Sequence, residues 1–453
     1  MESYLEQFSL KLIDSCHATR GRYIQTTQTI PKGHQVITSE PLAVVIFSES
    51  QRDYCNYCFK KNPRQRCSRC KKAYFCDVFC FQKAWASYHQ FNCGTCVNPE
   101  LDMLEKVAVN VEQYQKMIRG NNPIDVTMEA FFSLTGHSAA QPAQLVAHYR
   151  QLAQTAIKKE HLHTDLEKLV HYQCVFASNN FTIDDAELFA IGQGTYPIAS
   201  LFNHSCRPNA VVLFEGTLAK IRVIEDIPAH TEITIAYLDA AHSKRYRQKT
   251  LKEKYFFDCG CMRCGTHNEI DRMLGEEEDE WDRAAQVLGQ DNNQSTNIKK
   301  QIKEWDIVRL SSLDNLDPTS SLSHYTHHFL NSSKDVESLM FKESTEFSKL
   351  STLKMCSRMF YDAMGEGQWP EAARLGMYVL VQYRLIYPAN HPMLAQHYLT
   401  LAKGHWNALV QTAEEIYEEY FEKWIALAQK TILITFGVKS SLWKEVMELA
   451  SLQ

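Results

Sequence analysis

The chain opens with short runs of β-type apolar residues, Val36-Ile37-Thr38 and Ala43-Val44-Val45-Ile46-Phe47, set among the turn signals Arg20-Gly21 and Pro31-Lys32-Gly33. These predict short strands as far as about residue 48. From about residue 101 to 170 apolar positions recur at mixed spacings of three and four, as in Leu145, Tyr149, Leu152, Ala153 and Ala156, which predicts helices. Strand signals return between Phe176 and Tyr237. There Ala210-Val211-Val212-Leu213-Phe214, Ala219-Lys220-Ile221-Arg222-Val223-Ile224 and Glu232-Ile233-Thr234-Ile235-Ala236-Tyr237 are separated by turn-like stretches. The β elements flank a cysteine-rich stretch and a helical one, so one discontinuous β domain with two insertions fits better than two sheets. Beyond Gly265 the pattern is helical almost throughout, after a polar loop at 291–295. Amphipathic helices are expected at 369–386, 393–408 and 412–435, with Pro388-Ala389-Asn390-His391-Pro392 breaking the first pair. No repeat of fixed period identifies a solenoid.

Composition narrows the class. With 453 residues, 45% of them hydrophobic, the chain can bury a substantial core in two or three domains. No uncharged apolar stretch is long enough to span a bilayer, and Glu2, Glu6 and Asp14 replace the basic start of a signal peptide. A cytoplasmic or nuclear protein that is a monomer and contacts no membrane is expected. The net charge of −5 points to neither nucleic acid nor lipid. Local charge is uneven: residues 51–96 are strongly basic, whereas Glu276-Glu277-Glu278-Asp279-Glu280 reads as a solvated linker or helix face.

Fifteen cysteines in a chain without secretion signals argue for metal rather than disulfides. Eleven fall into two groups; Cys16, Cys96, Cys174 and Cys356 read as ordinary buried or surface thiols. Cys55-x2-Cys58, Cys67-x2-Cys70, Cys76-x3-Cys80 and His89-x3-Cys93 supply eight ligands, enough for two tetrahedral zinc sites with no position open for substrate. Their order resembles the MYND finger, in which ligand pairs alternate between ions. That resemblance implies one zinc on Cys55, Cys58, Cys76 and Cys80 and another on Cys67, Cys70, His89 and Cys93. The surplus of Lys and Arg permits phosphate contacts, but basic residues on a finger are more often a solvated or protein-facing surface, so peptide or protein contact ranks ahead of DNA.

The most informative run is Asn203-His204-Ser205-Cys206-Arg207-Pro208-Asn209-Ala210, followed by the segment ending at Tyr237 and then by Cys259-x-Cys261-x2-Cys264. Asn203 carries an amide that both donates and accepts, and His204 offers ring and backbone groups, as fixing a cofactor requires. Cys259, Cys261 and Cys264 lack a fourth ligand, for which Cys206 is the candidate. In this order the three motifs resemble the signature and cysteine-rich tail of SET methyltransferases. With the MYND-like insertion, the resemblance is to the SET-and-MYND family of protein lysine methyltransferases.

The resemblance implies an α+β fold: an N-terminal part of a SET domain at 1–48, a MYND finger at 49–96, a helical insertion at 97–170 and core SET at 171–240. A post-SET zinc segment at 241–265 and a tetratricopeptide-like helical domain at 266–453 would follow. It implies S-adenosylmethionine as cofactor and three structural zinc ions, the third on Cys206, Cys259, Cys261 and Cys264. Arg20, Gly21 and Arg22 stand where the family has a glycine-containing cofactor loop, with Tyr23 in place of its second glycine. Asn179, Asn203, His204, Tyr255, Phe257 and His137 would complete the cofactor site. Phe181, Tyr237 and Tyr255 would wall a lysine channel, with Tyr237 catalytic through electrostatics rather than as a base, because a phenol of pKa near 10 is a poor base at neutral pH. The substrate would be a histone or other protein with a target lysine, and partner peptides would dock on the finger and C-terminal helices. The competing expectation is a catalytically silent scaffold, which has no need for Asn203, His204 and Tyr237 together.

Overall fold

The computed structural model describes residues 1–14, 21–94, 98–118, 125–159, 161–265, 271, 274 and 350–452. Arg20, Cys16, Cys96, the acidic run at 276–280 and the polar loop expected at 291–295 lie outside them. Helix α1 (Glu2–Glu6) leads into a hairpin of β1 (Leu10–Asp14) and β2 (Arg22–Thr26), followed by β3 (Gln35–Ser39) and β4 (Ala43–Ile46). The cysteine-rich module comes next, with a small hairpin of β5 (Gln65–Arg66) and β6 (Tyr74–Phe75). Helix α2 (Val78–Ala84) then runs through a π-helical turn, Trp85–His89, into α3 (Gln90–Asn92).

Four helices follow: α4 (Pro99–Ile118), α5 (Val126–Ser133), α6 (Ala143–Ile157) and α7 (Leu166–Asn179). The aspartates Asp125 and Asp165 start α5 and α7 by accepting backbone N–H groups that the first turn leaves unpaired. The chain then returns to strands β7 (Asn180–Asp184), β8 (Ala190–Thr195), β9 (Asn203–His204), β10 (Ala210–Glu215), β11 (Leu218–Val223) and β12 (Thr234–Ile235), before α8 (Lys244–Tyr255). From residue 350 onward stand α9 (Leu350–Gly365), α10 (Trp369–Ile386), α11 (Pro392–Thr412), α12 (Glu415–Thr435) and α13 (Ser441–Ala450), packed consecutively.

Strands from the two ends of the β region share sheets, in the order β10-β11-β3 and β4-β8-β7, so the β domain is discontinuous as the pattern required. Its inward residues, among them Ile24, Ile37, Val45, Leu104, Phe131, Ile221 and Ile233, form one core with the inserted helices. A second core, with Phe360, Tyr378, Leu401 and Ile432, holds α9–α13 together. Each such side chain contributes about 1.5–3 kcal/mol by leaving water.

Three sequence expectations change. Phe176 is helical, because α7 continues to Asn179. The strand expected over 232–237 shrinks to two residues, because that segment bonds to several partners instead of one neighbouring ladder: Ile233 N donates to Ile24 O, Thr234 N to Asn209 Oδ1, and Ser205 N donates to Ile235 O. The helix expected to start at 412 starts at Glu415, because α11 runs to Thr412 and closes on Ala413 in the left-handed conformation at φ +57°.

The C-terminal helices dock on the β domain through polar contacts as well. Tyr387 Oη donates to Asp239 Oδ1 at 2.7 Å, Asn390 Nδ2 to Ile224 O at 2.8 Å and Gln396 Nε2 to Ala186 O at 2.9 Å. Among the described residues no helix is long and apolar enough to cross a membrane.

Candidate active site and metal clusters

Parallel pairing of β9 with β12 sets Asn203 opposite Thr234 and His204 opposite Ile235, with β2 alongside. Asn203 Nδ2 donates to the Arg22 carbonyl and to Glu232 Oε1, both at 3.0 Å, while its Oδ1 takes no donor among the described residues. Asn209 clamps the crossing by donating to Glu232 O at 2.8 Å and accepting Thr234 N at 2.8 Å. Gly21 precedes this contact at φ +60°, a conformation that suits glycine, whereas Tyr23 lies within β2 opposite Ile13.

His204 joins this loop to Tyr237. Its Nδ1 accepts Tyr237 N–H at 3.0 Å, so the ring proton sits on Nε2, which faces Cys206 Sγ at 3.3 Å. Burial pushes the imidazole pKa down to about 4, so the ring is neutral. Tyr237 Oη donates to Phe202 O at 2.7 Å. Burial first, then Tyr255 and Glu232, push its phenol pKa above the ordinary value.

The aromatic rings converge on the same place. Tyr237 and Tyr255 have centroids 4.8 Å apart, and Phe257 lies 6.1 Å from His204 and 6.4 Å from Tyr237. Phe181, Tyr237 and Tyr255 line one cleft of about 420 Å³, which is closed on the far side by His391, Pro392 and Met393 from the start of α11. Asp184 and Asp239 stand on its walls; burial, with Asp185 nearby, lifts the Asp184 pKa to about 6. Asn179 borders the cleft, its Nδ2 donating to Val175 O and Thr135 O and its Oδ1 taking no donor among the described residues. His137 is stacked on Phe256, with ring centroids 4.8 Å apart.

None of the described cysteines forms a disulfide, and twelve side chains gather into three clusters: Cys55, Cys58, Cys76 and Cys80; Cys67, Cys70, His89 and Cys93; Cys206, Cys259, Cys261 and Cys264. Within each, the ligand atoms all lie within 4.8 Å of one another. A tetrahedral Zn–S bond of about 2.3 Å implies sulfur–sulfur edges of about 3.8 Å. The observed pairs run from 3.5 Å for Cys58–Cys76 and Cys206–Cys264 to 3.8 Å for Cys67–Cys93 and 3.9 Å for Cys80–Cys58, so each set of donors can hold a zinc ion. Local geometry explains the spacing. Asp77 caps α2 by accepting Cys80 N at 2.9 Å, which sets Cys76 and Cys80 at the helix start. The π turn then reorients His89 toward Cys70, with Nε2 3.7 Å from its sulfur.

The third cluster carries a buried counter-charge that sequence reasoning missed. Arg247 is fully buried; its Nε lies 3.3 Å from Cys206 Sγ, and Nη1 and Nη2 donate to Asp271 at 3.0 and 2.7 Å. Arg263 also donates to Asp271, at 3.3 Å, and to Ile386 O, which ties the cluster to the end of α10. In Lys244-Arg245-Tyr246-Arg247-Gln248-Lys249 the residue looks like part of a solvated face; its spacing of four from buried Leu251 was the available signal. Glu232, which holds Asn203, had no signal beyond its place before a strand.

A family model described as SET domain matches residues 21–238. The chain is 25% identical over 451 residues to "Histone-lysine N-methyltransferase ASHR1" of Arabidopsis thaliana, covering 94% of this chain and 92% of that one. It is 29% identical over 295 residues to "Histone-lysine N-methyltransferase SMYD3" of Mus musculus, covering 62% and 67%. It is 27% identical over 263 residues to "N-lysine methyltransferase SMYD2" of Homo sapiens, covering 56% and 60%.

Proposed function

We propose that this chain, a member of the SET-and-MYND family of lysine methyltransferases, transfers a methyl group from S-adenosylmethionine to the side-chain amine of a lysine in a protein substrate in the cytoplasm or nucleus. The observation that carries this reading is the pairing of β9 with β12, beside which His204, next in the chain to Asn203, accepts the Tyr237 backbone N–H while the Tyr237 ring lines an aromatic-walled cleft.

The residues present suit the cofactor. Among the described residues, Asn203 Oδ1 and Asn179 Oδ1 are acceptors without donors, as an ammonium end needs, and the Arg22 backbone is fixed beside Asn203. Gly21, Arg22, Asn179, Asn203, His204, Tyr255 and Phe257 would hold the cofactor, with His137 a further candidate for its adenosine end. When bound, S-adenosylmethionine supplies a methyl group made electrophilic by a sulfonium.

The protein's own part is alignment and exclusion of water. Phe181, Tyr237 and Tyr255 sheathe the lysine stem and present its amine in one orientation, which lowers the entropic barrier. The Tyr237 hydroxyl proton is committed to Phe202 O, leaving its lone pairs to act electrostatically on the reacting groups. Its raised pKa keeps it protonated at neutral pH, so it takes no proton from the lysine. The first two cysteine clusters would hold structural zinc in a MYND-type finger, and the third would pin the loop containing Cys206 to the segment after α8.

Calorimetric titration of the zinc-loaded chain with S-adenosylmethionine tests the reading. Asn203→Ala removes the amide that bridges Arg22 and Glu232 and is expected to weaken binding at least about tenfold, the loss of about 1.4 kcal/mol. A folded, metal-replete wild-type chain that gives no saturable heat would sink the proposal.

A further inference from the structure

The lysine cleft continues into a larger groove of about 1120 Å³ through shared lining residues Asp184, Leu188, Val212, Leu213 and Phe214. Its floor is apolar, with Phe59, Ile191 and Phe214 on one side and Ile434, Phe436 and Leu442 from the α12–α13 junction on the other. Charge distinguishes its far end. Six cations and four carboxylates line the groove; Lys61 is neutralised by Asp185 and Glu187, and Lys220 by Glu215. The only remaining carboxylate of the lining is Asp184, at the cleft end. The ammonium groups of Lys32, Lys60 and Lys439 and the guanidinium of Arg222 have no ion-pair partner among the described residues.

Arg222 is the centre of this unpaired charge. Strand β11 directs it into the groove, where Nη1 donates to Gly33 O at 2.9 Å and burial, with no carboxylate in reach, lowers its pKa. The turn after α12 lies over it. Gly437, at φ +79°, brings its backbone so close that a Cβ there would stand 3.1 Å from both Nη1 and Nη2. Lys32 precedes Gly33 and Lys439 follows Gly437 by two residues, so three positive groups converge where the β domain meets the C-terminal helices. A half-buried guanidinium held by backbone alone is a poor end-state for a closed core, yet a good anchor for an incoming carboxylate.

Resting on the methyltransferase reading, we propose that this groove binds the stretch of the protein substrate flanking its target lysine, and selects a stretch that combines apolar residues with acidic ones facing Arg222 and Lys439. The apolar floor gives the flank its area, and the unpaired cations give it register. The carboxylate Asp184 at the cleft end and the cations at the far end give the groove a polarity, so the acidic residues lie away from the lysine.

The test uses fluorescence anisotropy on the full chain, which reads binding whether or not methyl transfer occurs. The probes are labelled peptides with one central lysine and a flank of apolar residues alternating with either Asp/Glu or Lys/Arg. Acidic-flank peptides are expected to bind about tenfold more tightly, one charge pair of about 1.4 kcal/mol, with the advantage shrinking as salt rises. Arg222→Glu should reverse the preference; Lys439→Glu, at an exposed position, should weaken it in a chain whose fold is undisturbed. Equal binding of both flanks, a basic preference, no binding of either, or displacement of the acidic peptide by single-stranded RNA would overturn the proposal. Absence of S-adenosylmethionine binding in calorimetry would instead overturn the methyltransferase reading, while the anisotropy still decides the groove.

Discussion

Tyr237→Phe is expected to slow single-turnover methyl transfer by about 10²–10³-fold, while affinity for S-adenosylmethionine changes less than about threefold. The substitution removes one oxygen and leaves the ring packed against Tyr255, His204 and Phe257. The Tyr237 backbone N–H still donates to His204, so the cofactor loop keeps its position. A loss confined to the transfer step therefore reports on the hydroxyl. The pH dependence separates an electrostatic role from a basic one. Because burial raises the phenol pKa, Tyr237 stays protonated throughout the neutral range, and a rate that climbs with pH there must follow the substrate amine. Rapid-quench measurement of wild type and variant from pH 7 to 9 should give parallel profiles displaced by a constant factor. An unchanged rate in the variant would remove Tyr237 from the chemistry.

Metal removal should have an effect just as large, on structure instead of rate. The module from Cys55 to Cys93 has a small core of its own, made of cysteines with Ala73, Phe75 and Ala84, while Phe59 packs into the β domain, so chelation should unfold the cysteine-bound part; structural zinc in such small units supplies on the order of 10 kcal/mol. The third cluster behaves differently, because Cys206 is three residues from Asn203. Cys261→Ser should lower the metal content from three zinc ions per chain to two and abolish S-adenosylmethionine binding, with the finger intact. Elemental analysis beside calorimetry checks this. Two zinc ions with unimpaired cofactor binding would show that the third cluster does not hold the loop.

Much of this arrangement was legible in the sequence, where ligands recur at short spacing. Four consecutive pairs from Cys55 to Cys93 are local enough that spacing limits geometry, and the structure gathers the side chains into tetrahedral-sized sets. Asn203, His204 and Tyr237 were legible only as a combination, since each alone suits a turn or a strand. What stayed hidden depends on contacts made at a distance. Glu232 is near Asn203 only because β9 and β12 pair, and Arg247 is buried only because Asp271 and the cysteines surround it. The late end of α7 is a case of packing overriding local preference, since Val175 and Phe176 favour strands yet are buried within the helix. The unpaired cations of the groove were invisible as well, because Lys32, Arg222 and Lys439 belong to three distant segments.

The hydrogen bonds that tie Thr26 to Thr231 span 205 residues of chain, and they fix an order of events during synthesis. At about 5–20 residues per second, the ribosome needs about 10–40 s to deliver the second partner after the first. The whole cysteine-rich module emerges in that interval and has all eight of its ligands by Cys93, so it can fold around metal early. The hairpin β1–β2, by contrast, waits with one edge unpaired until the segment after His230 arrives. A nascent chain halted before Glu232 thus carries a finished finger and no cradle for its cofactor. For that interval the exposed edge, and not the finger, is the part of the molecule that a chaperone has reason to hold.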